Sequence, residues 1–124
     1  DNNPLFESEE LIEEEIKKRA LKHMDFAQND TMKEFLIKII ELAKQKDITL
    51  YCVIPPYTEM YKKYISTDFK KKLKDICNQY GISFISFYKD KDFNDSDFCD
   101  ADHLNIHGSI KLTKKINEFL EAKQ

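Results

Sequence analysis

Residues 48–57 read ITLYCVIPPY, and the fold turns on this stretch. Ile48 to Ile54 is rich in β-branched and aromatic side chains and shows almost no polar alternation. That is the pattern of a strand covered on both faces, as in parallel sheets. Pro55 and Pro56 carry no N–H for a ladder, so the strand must stop there. A second β-rich run, ISFISF, follows at residues 82–87. Between the two, Phe69, Leu73, Ile76 and Cys77 share one face of a helix predicted over Asp68–Tyr80, with Thr67 as cap and Gly81 as stop. Strand, helix, strand in this order implies parallel pairing through a helical crossover.

The pattern extends outward from that unit. Glu9 to about Ala27 predicts a helix with a thin stripe (Ile12, Ile16, Ala20, Met24), Ser8 as its cap, and Glu9 and Glu10 at the positive end of its dipole. Thr31 with Glu34 fits a capping box for a second helix, running to about Lys46 with Phe35, Leu36, Ile39, Ile40, Leu42 and Ala43 on its apolar face. Tyr57–Tyr64 suggests a short helical turn. From Asn105 or Ile106 onward, Ile110, Ile116, Phe119 and Leu120 mark a last helix. The order is α-α-β-α-β-α, an α/β class. Two strands are too few for a doubly covered parallel sheet: either the pattern hides further strands or, as expected here, they lie outside this chain. An opening on Asp1 rather than Met agrees with a piece of something longer.

Composition excludes several classes. The 124 residues suit one domain, 41% hydrophobic and 35% charged, with 20 basic and 23 acidic side chains and a net charge of −3. Such a balance does not suit a nucleic-acid binder. The basic stretch KKYISTDFKKKLK (62–74) contains Asp68 and has a helical period, so it reads as a solvated helix face. Cys52, Cys77 and Cys99 have no CxxC spacing and are odd in number, which argues against a zinc ribbon or a disulfide framework. Cys52 and Cys77 read as small buried hydrophobes. No signal peptide and no apolar stretch near ~18 residues is present, so no membrane span is expected in this chain.

In open α/β sheets, functional groups collect beyond the carboxyl ends of the strands. Pro55-Pro56-Tyr57 and the loop ending in DADHLN (100–105) occupy that position, which makes Pro56, Tyr57 and Asn105 candidates for binding substrate. Asp100 and His103 are spaced so that a bent backbone can bring the carboxylate onto one imidazole nitrogen, leaving the other free to take a proton. The alternative is a loop clamp, with both side chains bonded to each other and to backbone. Asn105 reads as the N-cap of the last helix, and Gly108 as a close-packing residue. Asp102 reads as a solvated acid or a cap, His107 as exposed, and His23 as solvated. Asp100, Asp102, His103 and His107 are all ligand types, but His103 and His107 share a face only if the helix has begun by His103, which an Asn105 cap opposes. No metal and no cofactor is therefore expected. There is no Gly-rich phosphate loop and no G-x-S-x-G elbow.

The run Phe98–Ser109 (FCDADHLNIHGS), with Leu112-Thr113 following, resembles the last block of the SGNH (GDSL-type) hydrolases, D-x-x-H-L-N-x-x-G-[small]. The segment KDITLYCVIPPY is similar to the Pro-ended strand that precedes that block. The resemblance covers roughly residues 31–120 and is closest to the branch of cell-envelope proteins involved in D-alanylation of teichoic acids and O-acylation of surface polysaccharides. It implies a flavodoxin-like three-layer parallel sheet, with residues 31–124 as its C-terminal half and residues 1–30 as a charged N-terminal helix. It also implies that Asp100 and His103 are the acid and base of a Ser-His-Asp triad acting on an acylated glycan or other ester. The family's G-D-S nucleophile block and its oxyanion-hole Gly and Asn blocks do not occur in this sequence, and Ser8, Ser66, Ser83, Ser86, Ser96 and Ser109 lack the nucleophile's context. The chain alone is thus expected to be inactive and to self-associate through an open sheet edge. The branch implies the extracytoplasmic face of the envelope, whereas reduced cysteines alone would suit the cytoplasm.

Overall fold

The computed structural model describes residues 9–27 and 29–123. The elements are α1 (Glu9–Ala27), α2 (Asp30–Gln45), β1 (Tyr51–Ile54), α3 (Glu59–Lys62), α4 (Asp68–Tyr80), β2 (Ser83–Ser86), a 3-10 turn at Asp95–Asp97 and α5 (Ile106–Ala122). This is a mixed helix–strand chain with a small parallel sheet: β1 pairs with β2 from Tyr51↔Ser83 to Ile54↔Ser86. The Phe87 N–H adds a bond to the Ile54 carbonyl at 2.9 Å.

Both strands begin later than their apolar runs, for one reason. The Ile48 N–H donates to the Ala43 carbonyl at 2.8 Å and the Ile82 N–H to the Cys77 carbonyl at 2.8 Å. Each closes the end of the preceding helix, so these residues satisfy helical carbonyls before a ladder can start. Gly81 makes the second closure possible with φ of 69°, a left-handed conformation that favours glycine.

Two caps differ from expectation. Asn29, not Thr31, caps α2: its side chain accepts the Thr31 N–H at 2.8 Å. At α4 the Thr67 side chain makes no cap bond, and Ser66 Oγ accepts the Asp68 N–H at 3.1 Å. Ser8, the expected cap of α1, lies outside the described residues.

The core joins Ile16 and Ala20 of α1 to Ile54, Tyr61, Ile65, Tyr88 and Ala101, with Ile12 and Met24 packed against them. The thin stripe on α1 therefore closes over the carboxyl end of the sheet and over Ala101 of the DADHLN loop. Cys77 is buried and Cys52 half-buried, and burial with the neighbouring Cys77 pushes the Cys52 thiol up to about 12. Elsewhere apolar surface remains open. On α2 only Ile40 and Ala43 are buried, while Phe35, Ile39 and Leu42 are more than half exposed, as are Ile48 and Ile106.

Candidate functional site

The DADHLN loop is held at both ends. An antiparallel bridge pairs Phe98 with Leu104, and the Cys99 N–H donates to the His103 carbonyl at 2.9 Å. At its tip Ala101 is buried and its carbonyl accepts from the Thr58 hydroxyl at 2.7 Å and the Thr58 N–H at 3.1 Å. Thr58 also caps α3 through Tyr61 N–H. One buried hydroxyl thus ties the loop to the turn after β1. Thr58 was missed in the sequence, although a threonine directly before Glu59 carries a usable N-cap signal.

Asp100 works locally. Its Oδ1 accepts the N–H groups of Asp102 at 3.1 Å and His103 at 2.8 Å, a tight turn built by the side chain. The same carboxylate lies 2.9 and 3.0 Å from His103 Nδ1. Burial works against ionisation of Asp100, but the Asp102 N–H, the His103 ring and the His103 N–H together hold its carboxyl below the usual range. The His103 side chain is 58% exposed, and Nε2 has no hydrogen-bond partner among the described residues. The arrangement can therefore orient an imidazole and leave one nitrogen available for proton transfer.

Asp102 proves not to be a solvated bystander. Its side chain is only 8% exposed. Burial raises its carboxyl pKa, Asp100 adds to the rise, and His103, Arg19 and His23 oppose it. Arg19 of α1 reaches all three loop residues: Nε lies 3.1 Å from Asp102 Oδ1, Nη1 3.7 Å from Asp100 Oδ2 and Nη2 3.1 Å from His103 Nδ1. Asp102 Oδ1 nevertheless has no hydrogen bond, because the Arg19 N–H is close without being aimed at it. His23, expected to be solvated, bonds through Nδ1 to the buried Tyr61 hydroxyl at 2.6 Å and lies 3.8 Å from Asp102 Oδ2. Burial and the nearby Asp102 charge push the Tyr61 phenol upward. Arg19 stands 84 residues from His103, and no local signal announces it.

The remaining candidates are spread. Pro56 is fully buried and offers no surface to a ligand. Tyr57 is half-buried, its ring 5.0 Å from Tyr61 and 6.3 Å from Tyr88. The Asn105 amide is consumed: Oδ1 accepts the Gly108 N–H at 3.0 Å, and Nδ2 donates to the Ser96 carbonyl at 2.7 Å. His107 is exposed in the first turn of α5. Asp100, Asp102 and His103 converge within 4.8 Å, close enough for a cation, but the Arg19 guanidinium already supplies positive charge at that point. A groove of about 450 Å³ between α2 and α4, lined by Met32, Leu36, Phe69 and Leu73, shares none of these residues.

Fold and site together define an α/β domain that carries an aspartate–histidine pair on a loop beyond the strand ends. Residues 2–116 match the family described as "Protein of unknown function (DUF1574)", and the chain belongs to that family. No curated protein and no solved structure matches it. No helix among the described residues is long and apolar enough to cross a membrane.

Proposed function

We propose that this chain supplies the acid–base half of an SGNH-like acyl-ester hydrolase or O-acyltransferase, with His103 as general base and acid and Asp100 as its orienting group. The observation that supports this most is the Asp100–His103 contact of 2.9 Å on an imidazole whose other nitrogen has no partner among the described residues. In the proposed reaction, Nε2 takes the proton of a serine hydroxyl as the serine oxygen bonds to the acyl carbon. The proton is then given to the departing alkoxide as the ester C–O bond breaks. Water, or an acceptor hydroxyl, repeats the sequence to release the acyl group. The serine would come from a G-D-S block outside this sequence, and β1 and β2 would be two strands of a larger three-layer, flavodoxin-like sheet. The exposed apolar face of α2 and the outer edges of the two-stranded sheet agree with such a reading, and they would also let isolated copies of the chain self-associate. Substrates would be O-acyl groups on cell-surface glycans, on the outer side of the envelope.

The test is hydrolysis of p-nitrophenyl acetate by the full-length protein. His103→Ala should lower kcat/KM by about a thousandfold or more, and the chain Asp1–Gln124 alone should show no turnover above background. Equal rates for the wild type and His103→Ala would remove the triad assignment. The competing reading is a non-catalytic binding domain with a loop clamp. It is favoured by one observation, that Asp100 already satisfies two backbone N–H groups. In that case Asp100→Ala would cost stability, His103→Ala would cost less because the two backbone bonds to Asp100 remain, and neither would change activity.

A further inference from the structure

His103 Nδ1 is asked to do two incompatible things. It lies 2.9 and 3.0 Å from the Asp100 carboxylate, which can only accept, and 3.1 Å from Arg19 Nη2, which can only donate. A neutral imidazole nitrogen is either a donor or an acceptor. If Nδ1 carries the proton it serves Asp100, and Nε2 keeps the lone pair a base needs. If Arg19 donates to Nδ1, the proton sits on Nε2 and the base is silent.

The buried orphan beside this nitrogen decides between the two. Asp102 Oδ1 is 3.1 Å from Arg19 Nε and 3.5 Å from His103 Nδ1, yet it has no hydrogen bond. A small rotation of the guanidinium would turn an N–H from the imidazole to that oxygen. One bond then satisfies a buried carboxylate and frees Nδ1 for Asp100, and a buried acceptor left without a donor is costly. We propose that Asp102 and Arg19 are a positioning pair that selects the tautomer of His103: Asp102 draws the guanidinium off Nδ1, so that the proton stays between His103 and Asp100 and Nε2 remains the free base.

The pair is mounted to hold this geometry. Arg19 projects from α1 next to Ala20, which packs in the core with Ala101 of the same loop. From α1, His23 faces the other Asp102 oxygen at 3.8 Å and is itself held by Tyr61 of α3 at 2.6 Å. Asp102 is therefore caged between α1, α3 and its own loop, while the Arg19 side chain is 40% exposed. The inference deepens the acid–base reading of His103, since the selected tautomer is the one that reading needs.

The test reads the tautomer itself, by two-bond ¹⁵N–¹³C NMR correlation of the His103 ring in the chain, about two pH units above the ordinary histidine value near 6.5. In the wild type the proton should reside mainly on Nδ1. Asp102→Asn offers a weaker acceptor, so Arg19 should turn to Nδ1 and the Nε2–H form should become the majority. Asp102→Asn combined with Arg19→Met leaves no buried unpaired charge and removes the competing donor, so the Nδ1–H form should return. An unchanged tautomer in Asp102→Asn would overturn the proposal. So would a double variant that stays on Nε2–H, which would mean that Asp102 acts on the ring directly. Because no substrate is involved, a negative result here is separate from failure of the p-nitrophenyl acetate assay.

Discussion

Two buried aspartates, five residues apart, receive opposite treatment. The Asp97 side chain is 6% exposed and that of Asp102 is 8% exposed, so side-chain exposure does not separate them. Asp97 accepts the Asn94 N–H at 3.1 Å and the Lys111 ammonium at 2.7 Å; burial opposes its ionisation, but these partners hold its carboxyl below the usual range. Next to it, Lys115 reaches Asp90 at 2.8 Å and Asp92 at 2.6 Å. Three acids of this loop, Asp90, Asp92 and Asp97, are thus fastened to α5. The Asp102 side chain is nearly as little exposed and has the Arg19 cation at 3.1 Å, but the donors are not aimed at its buried oxygen, so burial raises its carboxyl pKa without a hydrogen bond to offset it. A satisfied cluster is a fastening. A cluster with an orphaned acceptor beside an exposed histidine keeps alternatives open, which is useful at a site of proton transfer.

The comparison breaks first if the α5 fastening proves loose. A Cβ on Gly108 would stand 2.2 Å from the Asp97 carbonyl oxygen and 2.7 Å from Leu104 Cδ2. The first contact is with backbone, which has little room to give. Gly108→Ala should therefore destabilise the chain by about 3 kcal/mol, measured by urea denaturation. A loss below about 0.5 kcal/mol would mean that α5 is not packed as described. Lys111→Met comes next. It leaves the buried Asp97 carboxylate with only its backbone donor, and should cost about 2 kcal/mol in the same measurement.

How much of this could be read in advance depended on range along the chain. The Asp100–His103 pair was legible because the turn that joins them is local, made by N–H groups two and three residues on. The Asn105 cap and the bounds of α4 were legible for the same reason. The α/β order was legible too, although only as a two-stranded parallel sheet; each strand lost its first residues to closing a helix, a competition that propensity does not show. What stayed hidden was long-range. Arg19, the Lys111 and Lys115 partners of the acidic loop, and the burial of Asp102 under α1 all depend on packing between distant segments. Asp102 looked like a solvated acid because nothing within ten residues marks the helix that covers it.

The smallest effect gives the sharpest test of the contrast, because it turns on sign. The folded-state value of Asp97 is lowered from 3.8, so its contribution is present above that value and is lost as the pH falls through the folded-state value. Asp97→Asn should therefore be less stable than the wild type at neutral pH, and the gap should close in acid. The folded-state value of Asp102 is raised from 3.8, so its favourable contribution belongs to the protonated form. That contribution is complete below 3.8 and is lost as the pH rises through the folded-state value. Asp102→Asn removes the charge penalty, so it should match the wild type in acid and exceed it at neutral pH. The gain should be about 0.5 kcal/mol or less, because the half-exposed Arg19 and solvent screen the charge. Thermal melts of both variants from acid to neutral pH would decide it. Two gaps of the same sign at neutral pH would show that Asp102 is fastened in the same way as Asp97, and the distinction between a satisfied and an unsatisfied cluster would go.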